Sequence, residues 1–233
     1  MTPSRTPGPA PEPGAVPGPP AAVETVDTGT PGPARIAWYP AARPRLVLAL
    51  GHGAGGGTAT RDLLGLAAVL PADGVTVALV EQPWRVAGKK VAPAPATLDT
   101  AWRGLWPALL GGAHGLPVVA GGRSAGARVA CRTGRELGAA AVLALSFPLH
   151  PPGRPERSRA DELLGTGLPT LVVQGDGDPF GRPDEFPEGP YGLVAVAGAD
   201  HGFAVPKRAG ITERQTVTTI TDAVLAWTRS PGE

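Results

Sequence analysis

A single cysteine among 233 residues leaves no partner for an internal disulfide and too few thiols for a cysteine-rich metal site. The chain therefore carries no mark of an oxidising compartment. Charge imbalance is missing too: 21 Lys and Arg against 20 Asp and Glu give a formal net charge of +1, which argues against a nucleic-acid partner held by charge. No stretch approaches the roughly 18 consecutive apolar residues of a membrane span, and the N-terminus lacks the basic-then-apolar layout of a secretory signal. These absences predict a cytoplasmic protein with no membrane partner. Cofactor motifs are absent as well. No His-x-x-x-His or HExxH occurs, and Asp176 and Asp178 have no histidine near them in sequence, so no metal is expected. The glycine-rich stretch near residue 53 lacks the Gly-Lys-Ser/Thr ending of a phosphate-binding loop. The expectation is a protein without metal or organic cofactor.

What the chain has in quantity is proline and glycine, 29 and 34 residues. Eight of the first twenty residues are proline, with hardly a large apolar side chain among them. Such a segment cannot bury enough surface to offset its ordering entropy, so residues 1–21 are expected to be a disordered tail of partly polyproline character. Residues 22–233 are then one domain, long enough for a sizeable core at 42% hydrophobic residues in the whole chain.

Within that domain, short apolar runs alternate with helical patterns. Val23 to Asp27 and Ala34 to Tyr39 flank the turn Thr28-Gly29-Thr30-Pro31-Gly32 and read as a hairpin. Strands follow at Arg45 to Leu50, Val75 to Val80, Pro117 to Ala120, Ala140 to Phe147, Pro169 to Gln174 and Tyr191 to Val196. Helices are expected at Thr60 to Leu70, at Thr97 to Leu110, after Ala125, and at Glu213 to Arg229. In the second, Leu98, Trp102, Leu105, Trp106 and Leu109 fall at helical spacing, which makes the tryptophans core residues. The alternation predicts an α/β architecture with a largely parallel sheet and helices on both faces.

The chemistry centres on Gly122-Arg123-Ser124-Ala125-Gly126, between a buried strand and a helix. This is the nucleophile-elbow pattern: the turn strains Ser124, and its neighbours two residues away must be nearly without side chains. The helix that starts at Ala125 points unpaired N–H groups toward chemistry at Ser124. Ligands of open α/β sheets bind beyond the carboxyl ends of the strands, where the sequence also places Asp178 and His201. Ser124 would be nucleophile, His201 its base and Asp178 the carboxylate that orients the imidazole. His52, His114 and His150 fit the base role less well, lying in a glycine loop, at a far turn and in a proline-rich loop. Asp176 and Asp200 are the other candidate acids. Asp200 adjoins His201 and would point away from it, and Asp176 sits between glycines, where aspartate commonly serves its own turn. Pro179 biases Asp178 toward an extended backbone, which favours it. His52-Gly53-Ala54 suits the second half of an oxyanion hole opposite the N–H of Ala125. Cys131, two turns into the elbow helix, reads as a small buried hydrophobe.

Together GHGAGG, GGRSAG, FPLHPPGRPERSR, VVQGDGDPFG and ADHGF resemble the α/β-hydrolase superfamily, in particular small dienelactone-hydrolase-like serine hydrolases, over residues 34–229. The Ser, Asp, His chain order is that superfamily's. The resemblance implies a mostly parallel eight-stranded sheet, a Ser124–Asp178–His201 triad and an oxyanion hole from the Ala54 and Ala125 backbone. Dienelactone hydrolase itself carries cysteine at the elbow, where this chain has Ser124. No cap domain fits between Phe147 and Thr170, so the site should be open and shallow, rimmed by Arg85, Lys89, Lys90, Arg154, Arg157 and Arg159. The expected activity is hydrolysis of small carboxylic esters or thioesters through an acyl-enzyme. The competing class is a non-catalytic binding or scaffold protein, since the same group includes a scaffold subunit of a chromatin-modifying complex and a fold does not guarantee turnover.

Overall fold

The computed structural model describes residues 16–230. The expected disordered tail falls chiefly on residues 1–15, outside the described residues. Residues 16–20 carry no regular structure, and the Ala21 N–H then joins the Trp38 carbonyl at the sheet edge.

Among the described residues, eight strands form one sheet: β1 (Ala22–Asp27), β2 (Pro33–Tyr39), β3 (Leu46–Gly51), β4 (Val75–Glu81), β5 (Val118–Arg123), β6 (Ala141–Leu145), β7 (Thr170–Gly175) and β8 (Gly192–Val196). Their spatial order is β1-β2-β4-β3-β5-β6-β7-β8. The β1–β2 hairpin and the β2–β4 pair are antiparallel, and every later neighbour is parallel. The helices are α1 (Arg61–Val69), α2 (Pro83–Val86), α3 (Pro95–Ala113), α4 (Ala125–Thr133), α5 (Ala160–Leu164) and α6 (Glu213–Arg229).

Side chains of the central strands alternate between two cores. Val47 and Ala49 of β3 and Ala78 and Val80 of β4 face one side, where Trp102, Leu105, Trp106 and Leu109 of α3 and Val129 of α4 cover them. Leu48 and Leu50 of β3 with Val77 and Leu79 of β4 face the other, against Leu63 and Leu66 of α1 and Ile220 and Val224 of α6. Two covered faces explain why these strands are unbroken apolar runs without polar alternation. The sequence expectation for the tryptophans holds: Trp102 and Trp106 are buried in the first core.

Three elements depart from the sequence reading, the shortest being α2, in a stretch for which no helix was expected. Helix α3 starts at Pro95, before Thr97, and continues past Leu110 to Ala113. Proline fits a first helical turn, where its missing N–H has no intrahelical acceptor. Pro107 lies inside the same helix, whose turns stay together because Leu105, Trp106 and Leu109 are buried. The segment between Phe147 and Thr170, for which no helix was expected, contains α5. Glu162 of α5 receives hydrogen bonds from Arg128 and Arg132 of α4, and Arg132 also reaches Asp99 of α3. These ion pairs bind the helix behind the elbow to both of its neighbours.

Candidate active site

The sheet places every predicted site residue at the carboxyl end of a strand. β5 ends at Arg123 and α4 begins at Ala125, leaving Ser124 in the turn with φ 54° and ψ −111°. A positive φ is costly for a residue with a Cβ, so the surroundings must hold it. The flanking glycines show how. A Cβ on Gly122 would stand 2.6 Å from the Gly51 carbonyl oxygen, and one on Gly126 would stand 2.5 Å from the same atom. Backbone lies against backbone there, and no side chain fits.

The imidazole of His201, from the loop after β8, lies with Nε2 2.9 Å from Ser124 Oγ. Its Nδ1 lies 2.7 Å from Asp178 Oδ2. Asp178, after β7, is fully buried, and both of its oxygens are engaged: Oδ2 also accepts from Gln174 Nε2, and Oδ1 accepts from the Phe180 N–H. A carboxylate that only accepts fixes the tautomer of its neighbour, so Nδ1 carries the imidazole proton and Nε2 is free to accept from the serine hydroxyl. The ring of Phe180 stacks on that of His201 with centroids 4.2 Å apart. Nothing in the sequence marked Phe180 or Gln174 beyond their closeness to Asp178.

The other candidates sit elsewhere. Asp176 is exposed. Asp200 accepts the N–H groups of Gly202 and Ala204, and so shapes the His201 turn. His52 is buried, its Nδ1 against the Gly53 carbonyl and its Nε2 accepting from the Gln82 N–H. Burial pushes its pKa below the ordinary histidine value. Nδ1 is spent within the loop after β3, and Nε2 joins that loop to the one after β4. His114 caps the far end of α3, and His150 pairs with Glu185.

Ala54 and Ala125 border a narrow gap, walled by Trp84, Leu98 and Val129, that is too tight to admit a water molecule. Of the six expected rim cations, Arg85, Lys89, Lys90, Arg154 and Arg157 are exposed, whereas Arg159 turns inward to the Pro148 carbonyl. Cys131 is buried, and burial pushes its thiol up to about 12. Thiol-directed reagents should therefore leave any hydrolytic activity unchanged at neutral pH, and Cys131→Ala should lower the melting temperature without lowering kcat. Inactivation by such a reagent, abolished in Cys131→Ala, would contradict this placement. Among the described residues, no helix is long and apolar enough to cross a membrane, and no group of three or more His, Cys, Asp and Glu side chains could hold a metal.

The mostly parallel sheet, the elbow and the Ser–His–Asp arrangement at the strand ends define an α/β hydrolase without a cap domain. The chain belongs to that family: the model of the alpha/beta hydrolase domain matches residues 43–229. No curated protein matches the sequence. Among solved structures, the chain is similar to an α/β serine hydrolase without a lid from Xanthomonas campestris, at 20% identity and a TM-score of 0.65, over 89% of this chain and 95% of that one. A dienelactone hydrolase from Anabaena variabilis is similar at 18% identity and a TM-score of 0.67, over 92% and 99%. Est1E from Butyrivibrio proteoclasticus, also solved with ferulic acid bound, is similar at 13% identity and a TM-score of 0.64, over 90% and 100%.

Proposed function

We propose that this chain is a cytoplasmic serine hydrolase of small carboxylic esters or thioesters, working through an acyl-enzyme with Ser124, His201 and Asp178 as its triad and no cofactor. The observation that carries the reading is the continuous chain of contacts from the strained Ser124 hydroxyl through His201 to the buried Asp178, at 2.9 and 2.7 Å. Likeness to a dienelactone hydrolase and to Est1E supports a small-molecule substrate.

In this mechanism Ser124 Oγ attacks the substrate carbonyl while its proton passes to His201 Nε2. The charge that develops on the carbonyl oxygen is held by the N–H groups of Ala125 and Ala54, each worth about 10²–10³ in rate. The C–O or C–S bond then breaks, and the leaving alcohol or thiol takes its proton from His201. Water, deprotonated by the same imidazole, attacks the acyl-enzyme carbonyl; the bond to Ser124 Oγ breaks, Oγ recovers its proton from His201, and the acid leaves. Asp178 keeps Nδ1 protonated and stabilises the imidazolium formed in both halves.

A fluorophosphonate probe tests the reading directly, because it labels a serine only when the serine is activated. Wild type should become labelled on Ser124; a protein that stays unlabelled and fails to hydrolyse p-nitrophenyl esters would be a binding protein on a hydrolase scaffold. The capless, shallow site also sets an expectation for chain length. Methylenes that cannot enter it stay in water and forgo the ~0.8 kcal/mol that each gains on burial. kcat/KM should therefore be highest on p-nitrophenyl acetate to butyrate and fall toward octanoate. A steady rise through octanoate would overturn the short-acyl preference.

A further inference from the structure

The residue between Gly122 and Ser124 carries a long charged side chain, folded inward. The Arg123 side chain is 15% exposed. Its Nη2 donates to the backbone carbonyl of His201 at 2.7 Å. Its Nε stands 3.5 Å from Asp62 Oδ2, on the first turn of α1, and the Asp62 side chain is completely buried. Among the described residues, neither Asp62 oxygen accepts a hydrogen bond, and Arg123 Nε donates none.

As a stabilising device this arrangement is poor. Two charges removed from water are compensated only by close geometry with every hydrogen bond made, and a 3.5 Å contact without one falls short of that. The guanidinium is instead aligned on the His201 carbonyl. The base loop is already tied to the acid loop through backbone, since the Gly177 N–H meets the Ala199 carbonyl. It is stiffened internally by Asp200, which holds the N–H groups of Gly202 and Ala204. Arg123 supplies the tie between that stiff turn and the nucleophile elbow, one residue from Ser124. A planar fork suits the task, because it can face a carboxylate and a carbonyl together where an ammonium offers a single point.

We propose that Arg123 is a positioning residue that fixes the main chain of His201, and so its imidazole, over Ser124, with Asp62 aiming the guanidinium. This rests on the hydrolase reading above, in which that imidazole is the base. Misplacement of a reacting group by about 1 Å costs on the order of 10² in rate.

The test is the double variant Arg123→Met with Asp62→Asn, since Arg123→Met alone would strand a buried charge and confuse folding with function. Its melting temperature should stay within about 4 °C of wild type. Its kcat on p-nitrophenyl acetate, per site titrated with fluorophosphonate, should fall by about 10²-fold with KM unchanged. Backbone deuterium uptake should rise in a peptide covering residues 199–205 and nowhere else. Arg123→Lys, which keeps a charge opposite Asp62, should be intermediate, with a kcat about tenfold lower; it decides the matter if the double variant does not fold. A folded double variant, or an Arg123→Lys protein, with wild-type kcat per titrated site would overturn the proposal, as would unchanged uptake over 199–205. If wild type itself is neither labelled nor active, the hydrolase reading falls, while the uptake comparison still decides whether Arg123 holds the base loop.

Discussion

Ser124→Ala should lower kcat for ester hydrolysis by about 10⁶-fold, the scale seen when a serine protease loses its nucleophile, and should leave folding intact. The two outcomes separate because the hydroxyl stands in a turn at the mouth of the site and not in either core. Alanine keeps the Cβ, so it meets the same backbone strain at φ 54° that serine already meets. What disappears is the attacking atom and its bond to His201 Nε2. Thermal unfolding within a few degrees of wild type, together with loss of turnover and of fluorophosphonate labelling, is the expected pair of results. Retention of activity within a few-fold would remove Ser124 from the mechanism.

Asp178→Asn should cost about 10⁴ in kcat, the loss seen when the orienting aspartate of a protease triad becomes asparagine. The local bonding explains why so small a change is so expensive. Asp178 Oδ1 accepts from the Phe180 N–H, while Oδ2 faces two donors, Gln174 Nε2 and His201 Nδ1. An asparagine that keeps its oxygen on the Phe180 N–H presents an amino group to His201. The imidazole then has to place its proton on Nε2, aimed at Ser124, where a base needs a lone pair. Flipping the amide instead sets an amino group against the Phe180 N–H. Asp176→Asn, at an exposed position, should change kcat less than threefold, within what is usual for surface substitutions of about 0.5 kcal/mol. A large loss confined to Asp176→Asn would mean that the orienting carboxylate has been misassigned.

The frame of the fold was legible because each central strand is buried on both faces and so reads as an uninterrupted apolar run, as Leu46 to Leu50 does. The elbow was legible because backbone packs on backbone around Gly122 and Gly126, a demand that only glycine meets. Asp178, rather than Asp176, is the carboxylate that the structure brings to His201, and Pro179 was the local signal that favoured it. What escaped the sequence depends on contacts between distant residues. Helix α5 is five residues long, with Leu163 its one buried residue, and is attached to the elbow helix by ion pairs of Glu162 with Arg128 and Arg132. A segment so short has no periodicity to read. The inward turn of Arg159 depends on the Pro148 carbonyl eleven positions away, and in sequence it is indistinguishable from the exposed cations around it. The same holds for Arg123, whose partners lie 61 residues before it and 78 after it.

The spread of the site along the chain also orders its assembly. Ser124 and His201 are 77 residues apart, and His201 follows β8, the last strand to join the sheet in sequence. The elbow, by contrast, rests on β3, β5 and α4, all complete before residue 134. Closing the longer loop requires β6, β7 and β8 to be in register first, since each lies beside its predecessor in sequence. A chain that has built its central strands would thus hold a strained serine with no base above it, inert toward esters until the edge of the sheet is laid down. In the proposed mechanism turnover therefore depends on the β8 edge that carries His201, and is lost when that edge frays.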